Sequence, residues 1–366
     1  EDALYDSNAC FIVAEDEEGN VIGYAGLHTV LDEGYATRLD YIRTLCALLR
    51  GAGYDADVVF VAPDANEPEK VKNRIKYEKP NVRAFAAALC RVRVREGGFL
   101  WFGGETKEYF LGTENEYAPI GPTGFNGCDY FDPETCEFGV VTVPDVRLGS
   151  MDGEKTVIDI KEDGSAEISI ESVTWGHAVG AFRKTFAEIL PEDRNRLHQS
   201  LLGSISQAAS AIGDLETDLE GYPAKRRFAC KVPDYAMVSG GTITLQAQSL
   251  LSTIPAFTGK VRKTPFAVSA QGEAWEEVVV RFPKGYTVIE HLPDSFVFAD
   301  PHDANKIWLT SKVSKSEKDG VVEVSVFRKV MGRKYTYFTP DYIELVNDRS
   351  RIADSRANRT IVVRKP

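Results

Sequence analysis

Histidine is scarce in this chain and poorly placed for catalysis. Of 366 residues five are His, at positions 28, 177, 198, 291 and 302, so none falls between residues 29 and 176. A proton-transfer site built from that stretch lacks the side chain that titrates nearest neutrality. No Cys-x-x-Cys pair occurs among Cys10, Cys46, Cys90, Cys128, Cys136 and Cys230, and the His spacing fits no zinc pattern. No structural metal and no cofactor are therefore expected. No apolar run approaches the length of about 20 residues that spans a bilayer, so this segment is not expected to cross a membrane. Low-complexity tracts and a recognisable signal peptide are also missing. Because the chain begins at Glu1 rather than Met, it is read as a processed or truncated product whose missing segment carried the address.

What is present is an ordinary globular composition, 43% hydrophobic and 27% charged, long enough for two or three domains. The net charge of −12 is uneven. Residues 1–150 hold 14 Lys/Arg against 26 Asp/Glu, whereas residues 151–366 hold 29 of each. An acidic first half excludes generic nucleic-acid binding, which needs cationic surface to displace counterions. Inside that half, residues 70–95 carry nine Lys/Arg and one Glu, and residues 105–145 carry nine acids and one Lys. Either these segments neutralise each other, or the basic one forms an anion-recognising lip. Arg91 and Arg93 alternate with Val92 and Val94, which places both on one face of a strand. An internal salt bridge is the expected role of at least one of them.

The pattern changes near residue 148. Before it, a helix over residues 36–50, a strand near Val58 and further strands over 88–95 and 97–102 predict a helix against an antiparallel sheet. Residues 63–80, charged and without an apolar stripe, are expected to form an exposed connection of above-average mobility. Cys46 and Cys90 fit core positions, and Cys128 and Cys136 could close a short disulfide around residues 129–135. After it, residues 155–161 and 166–173 read as a hairpin, and helices follow over 178–190 and 191–212. Strands are expected at 228–232, 241–250, 276–282, 306–311 and 321–328, then a helix from Pro340 and a last strand over 360–364. Regular strands with turns between them indicate an antiparallel β-sandwich. The fold class is α+β, with domains at 1–147 and 148–366 and a helical insertion at about 178–212.

Leu39, Ile42, Cys46 and Leu49 fall on one helical stripe, Gly51 and Gly53 stop the helix, and residues 57–62 form an apolar strand. This succession resembles the core of bacterial transglutaminase-like proteins. The resemblance implies a papain-like core with a catalytic Cys at the helix start, where the helix N-terminus lowers a thiol pKa. Ala36 occupies that position. The strand implied to carry the basic His reads Phe85 to Val94, with small residues where the His belongs. A Leu-Asp-Pro-Thr-like segment appears as Phe110, Leu111, Gly112 and Thr113, with Gly112 at the Asp position. Three losses together indicate a natural pseudoenzyme, with Ala36 and Gly112 as vestigial positions. Tyr35, Ala36, Arg91, Arg93, Trp101 and Tyr109 become candidates for a retained groove.

A second resemblance lies in Arg281-Phe282-Pro283-Lys284-Gly285-Tyr286 and His291-Leu292-Pro293. It is similar to the proline–glycine signature of β-domains that follow transglutaminase-like cores in bacterial envelope proteins. Together the two imply a periplasmic or otherwise exported protein. The leading expectation is non-catalytic binding of a peptide, a cell-wall fragment (a glycan-peptide) or a protein partner. The alternatives are an active cysteine peptidase or acyltransferase with a displaced thiol, Cys46 or Cys90, and a purely structural envelope module. Cys46 lies ten residues beyond Ala36, about 15 Å along a helix, which disfavours the displaced thiol.

Overall fold

The computed structural model describes residues 13–15, 21–24, 37–62, 85, 87–96, 105–113, 115–143, 149, 151–246, 266–268, 273–300, 303–330, 336–338 and 340–366. The chain divides into two compact units, Glu1–Gly149 and Ser150–Pro366. Both mix helices with antiparallel sheet, as an α+β class requires.

In the first unit, helix α1 spans Arg38–Gly51 and starts two residues later than its apolar pattern suggests. Thr37 sets the start: its hydroxyl accepts the Asp40 N–H at 3.2 Å and donates to the Asp40 carboxylate at 2.5 Å. The exchange satisfies an N–H that the first helical turn leaves unpaired. The helix ends where Gly53 adopts φ +89°, a left-handed conformation that favours glycine. The chain then turns back into strand β1, Asp55–Val61.

Strands β2 (Ala87–Glu96), β3 (Glu105–Leu111), β4 (Asp129–Asp132) and β5 (Glu137–Val140) complete an antiparallel sheet of order β3-β2-β1-β4-β5. The partner of β2 is therefore Glu105–Leu111, with Glu96 opposite Glu105, and the expected 97–102 strand lies outside the described residues. The β4–β5 hairpin is not among the strands expected from the sequence. Its signal was diluted by Pro133 and the short length of both strands. A separate two-stranded pair joins Val13–Glu15 to Val21–Tyr24.

Each face of the five-stranded sheet has its own core. Ile42 and Cys46 of α1 pack with Ala56, Cys90 and Val92 on one face. On the other, Val59, Val61, Leu89, Phe110 and Tyr130 pack with Cys128 and Val141. The 63–80 connection lies outside the described residues.

The second unit begins with the expected hairpin, β6 (Met151–Ile160) and β7 (Ala166–Thr174). Helices α2 (Ala178–Glu188) and α3 (Pro191–Ile205) follow, with Pro191 in the first turn. The second helix stops seven residues short of the expected 212, because Ser206 turns extended and Ser210–Asp218 forms strand β8. Only Leu215 of β8 is buried, so the strand carries almost no period-2 signal.

Further strands are β9 (Ala224–Val232), β10 (Met237–Ser239), β11 (Thr242–Gln246), β12 (Glu273–Arg281) and β13 (Val288–His291). After these come β14 (Phe296–Asp300), β15 (Asp303–Lys318) and β16 (Val321–Val330), then helix α4 (Pro340–Ala353) and strand β17 (Thr360–Arg364). Phe266–Val268 also pairs with Thr336–Phe338.

Eight strands form one sheet in the order β8-β9-β7-β6-β12-β16-β15-β14, and four form another, β10-β11-β17-β13. The large sheet is not purely antiparallel: β6 and β12 run parallel, with Thr156 beside Val278. That connection joins strands more than a hundred residues apart, which local pattern does not reveal. The inner face of the large sheet, including Ile158, Ile168, Phe228, Val280 and Val324, packs against Phe186 and Leu202 of the helices. It also packs against Ile243, Leu245, Ile361 and Val363 of the small sheet. Each such side chain contributes roughly 1.5–3 kcal/mol of burial.

Candidate functional site

Period-2 alternation carries Asp55, Asp57, Arg91 and Arg93 to the sheet face opposite α1. Register places Asp57 opposite Arg91 and Asp55 opposite Arg93. Arg91 is buried, and its Nη2 donates to Asp57 at 2.9 Å and also to Asp132. Its Nη1 donates to the Tyr130 hydroxyl at 2.9 Å. Arg93 reaches Asp57 at 2.7 Å, Asp55 at 3.1 Å and Glu108 at 3.4 Å. Arg50, from the last turn of α1, pairs with Asp57 at 3.2 Å and Glu134 at 2.8 Å. Asp132 also accepts the backbone N–H groups of Glu134 and Thr135 at the hairpin turn.

Electrostatics follow from this wiring. Burial works to raise the Asp57 carboxyl, but hydrogen bonds from Arg91 and Arg50 and the charge of Arg93 outweigh it and hold it below the ordinary range. Asp132 is likewise held low: burial is opposed by Arg91 and by the two turn N–H groups. Three guanidiniums meet five carboxylates, so the cluster has no surplus positive charge with which to hold an outside anion.

The predicted site residues thus separate. Arg91 and Arg93 share a face, as their spacing requires, and both are engaged in internal pairs. Tyr109 is half-buried in the cluster beneath α1, on the opposite face. Gly112 follows the end of β3. Tyr35, Ala36 and Trp101 lie outside the described residues.

The thiols are placed just as definitely. Cys46 and Cys90 are 3% and 0% exposed, between helix and sheet. The neighbouring Cys46 thiol and burial together push the Cys90 thiol up. Cys128 and Cys136, which could have closed a short disulfide, are not disulfide-bonded. Cys128 is buried at the base of the β4–β5 hairpin, whereas Cys136 is exposed in its turn. Four extended residues, about 13 Å, separate the two positions, beyond disulfide reach. Among the described residues no cluster of His, Cys, Asp or Glu could hold a metal ion, and no helix is long and apolar enough to cross a membrane.

Two features of the second unit escaped sequence reasoning. Arg328, fully buried on β16, sits in register between Glu276 and Ser311 and donates to the Asn358 carbonyl at 3.0 Å. Burial, then the Arg359 charge, pushes it down to about 10. The polar row continues along the sheet through Glu154, Ser172 and Arg226, joined by hydrogen bonds of 2.9 and 3.2 Å. The signal available was charged residues at core-facing parity, Glu276 two before Val278 and Arg328 two after Val326. The other feature is a cavity of about 380 Å³ on the sheet, where β8 bulges between Ile212 and Glu216 over Ser169, Glu171, Arg227 and Ala229.

No family model matches the chain, and no curated protein matches it. A solved structure from Parabacteroides distasonis, described as a "putative protease", is similar with a TM-score of 0.42 and 12% identity. The likeness covers 92% of this chain and 46% of that one, so this chain spans under half of that protein's length.

Proposed function

We propose that the chain is a non-catalytic, transglutaminase-like binding protein of the bacterial cell envelope, whose first unit engages a peptide, a cell-wall fragment or a protein partner. One observation carries this reading: what stands near the start of α1. The helix turns back into β1 at Gly53, so its N-terminus lies toward the Val61 end of that strand. There Val61 pairs with Ala87 and Phe60 with Ala88, while β3 ends at Leu111 beside Gly112. A helix start facing two strands is where a thiol, a base and an orienting acid would converge in such a core. Ala88 and Gly112 can neither take nor hold a proton. The displaced-thiol alternative is disfavoured by the burial of Cys46 and Cys90 against each other between helix and sheet.

Binding and turnover measured together test the proposal. Calorimetry of the full chain with neutral and basic peptides and soluble cell-wall fragments should give saturable binding, and the same mixtures should show neither hydrolysis nor acyl transfer. Thiol-dependent turnover that disappears in Cys46→Ser or Cys90→Ser would sink it. Binding to none of these probes would leave the structural-module reading in its place.

A further inference from the structure

The outward face of the eight-stranded sheet carries an aromatic strip that the reading of the first unit does not use. Along β12, Glu276, Val278 and Val280 are buried toward the core, so Trp275 and Glu277 point outward. Trp275 is the register neighbour of Gly153 on the parallel strand β6. A Cβ at Gly153 would sit 2.2–2.4 Å from three atoms of the indole. The ring therefore lies flat on bare backbone, a posture only glycine permits. Trp175 lies 6.5 Å from it on one side with its plane tilted by 57°, and Phe327 lies 6.1 Å away with its plane within 26°. All three rings are half-buried.

Charged pairs rim the strip. Glu273 and Glu277 flank Trp275 two residues away on the same face. Lys329, directly opposite Trp275, pairs with Glu273 at 2.6 Å. Glu277 pairs with Lys155 at 2.8 Å and accepts the Ser325 hydroxyl at 3.2 Å. Each carboxylate has room for about four hydrogen bonds, so both keep acceptor capacity.

A ligand for this surface needs an apolar face to lie on the rings and a rim of hydroxyls to meet carboxylates and ammonium groups. A pyranose ring has that form. Nucleic-acid bases also stack on aromatic rings, but their phosphates need surplus positive charge, and residues 151–366 have none to offer. An aliphatic chain would gain nothing from the charged rim and would desolvate it at a cost. The run of three rings offers more than one stacking position, which favours several linked sugars over one. We infer that Trp175, Trp275 and Phe327 form a stacking platform for a neutral oligosaccharide, with Glu273 and Glu277 accepting from its hydroxyls and Lys329 donating to them.

The test titrates the full chain with three probes: β-1,4-linked N-acetylglucosamine hexamer, cellohexaose and maltohexaose. Calorimetry and tryptophan emission are followed together. At least one probe should bind saturably with Kd no weaker than about 1 mM, and Trp275→Ala should weaken it at least about tenfold. Phe327→Leu, which keeps an apolar side chain on the strand, should weaken binding without loss of the folded thermal transition. Gly153→Ala should do the same by lifting the indole. Saturable binding to none of the three sugars overturns the inference. So does binding that survives both Phe327→Leu and Trp275→Ala, or saturable binding only to a proline-rich peptide.

Discussion

Arg91→Ala is the most demanding test of the first unit, because its effect depends on pH as well as size. The substitution strands Asp132, whose side chain is 3% exposed and which receives its cationic hydrogen bond from Arg91. Asp57 suffers less, since Arg50 and Arg93 still reach it. Removing one partner of a buried ion pair costs about 3–5 kcal/mol, mostly for the charge left behind. Much of the unit's stability would be lost, since whole domains rest on about 5–15 kcal/mol.

In the native protein Asp57 and Asp132 titrate below their unfolded values. Their contribution is thus fully present above the unfolded pKa of about 3.9 and is lost as pH falls through the lower folded values. In the variant, Asp132 keeps its burial without the guanidinium, so its carboxyl should titrate above the unfolded value and protonation should relieve the penalty. The gap between native protein and variant should be largest near neutrality and close as the pH falls past about 4. Hydrogen exchange of the Ala87–Glu96 amides, followed from neutral to acid pH, isolates this unit from the other. A gap below about 1 kcal/mol that does not change with pH would refute the buried-pair account. Arg91→Met with Asp132→Leu should recover much of the loss, because no charge is left stranded.

Other expectations can be checked with the same protein. Thr37→Ala should cost about 0.5–2 kcal/mol by removing the cap on α1, with Thr37→Ser nearly neutral in urea unfolding. Among the described thiols, Cys136 should be alkylated within minutes in native buffer, while Cys46, Cys90, Cys128 and Cys230 should react only after denaturation, as read by mass spectrometry. Arg328→Met should destabilise the second unit by about 3–5 kcal/mol, and adding Glu276→Gln should return part of it if the two act as a pair.

Particular residues explain which parts of this architecture could be read in advance. The α1 stripe was legible because Ile42 and Cys46 are buried to nearly nothing, so the hydrophobic period survives in the sequence. The β6–β7 hairpin was legible because, near its turn, inward Ile158, Ile160, Ile168 and Ile170 alternate with outward Lys155, Asp159, Glu167 and Glu171. Strand β8 was not, because five of its first residues are exposed and a bulge breaks its register. The parallel seam between β6 and β12 has no local signature, since pairing partners carry no mark of how far apart in sequence they lie.

The arginines fall between these cases. Alternation with Val92 and Val94 sufficed to put Arg91 and Arg93 on one face, but it could not say which face, or what waits there. Asp57 is adjacent to an apolar run and Asp132 sits in a Pro turn, and neither announces a buried partner. The pairing depends on β4 docking against β1, through contacts of Phe60 with Phe131 and Val61 with Tyr130. Those contacts bring Asp132 beside Arg91, and so help turn a basic strand and an acidic segment into one neutralised cluster. The opposed charge runs seen along the chain are therefore explained in part by self-complementarity within the unit. Recognition of an outside ligand by the first unit has to come from surface other than the Arg91 guanidinium.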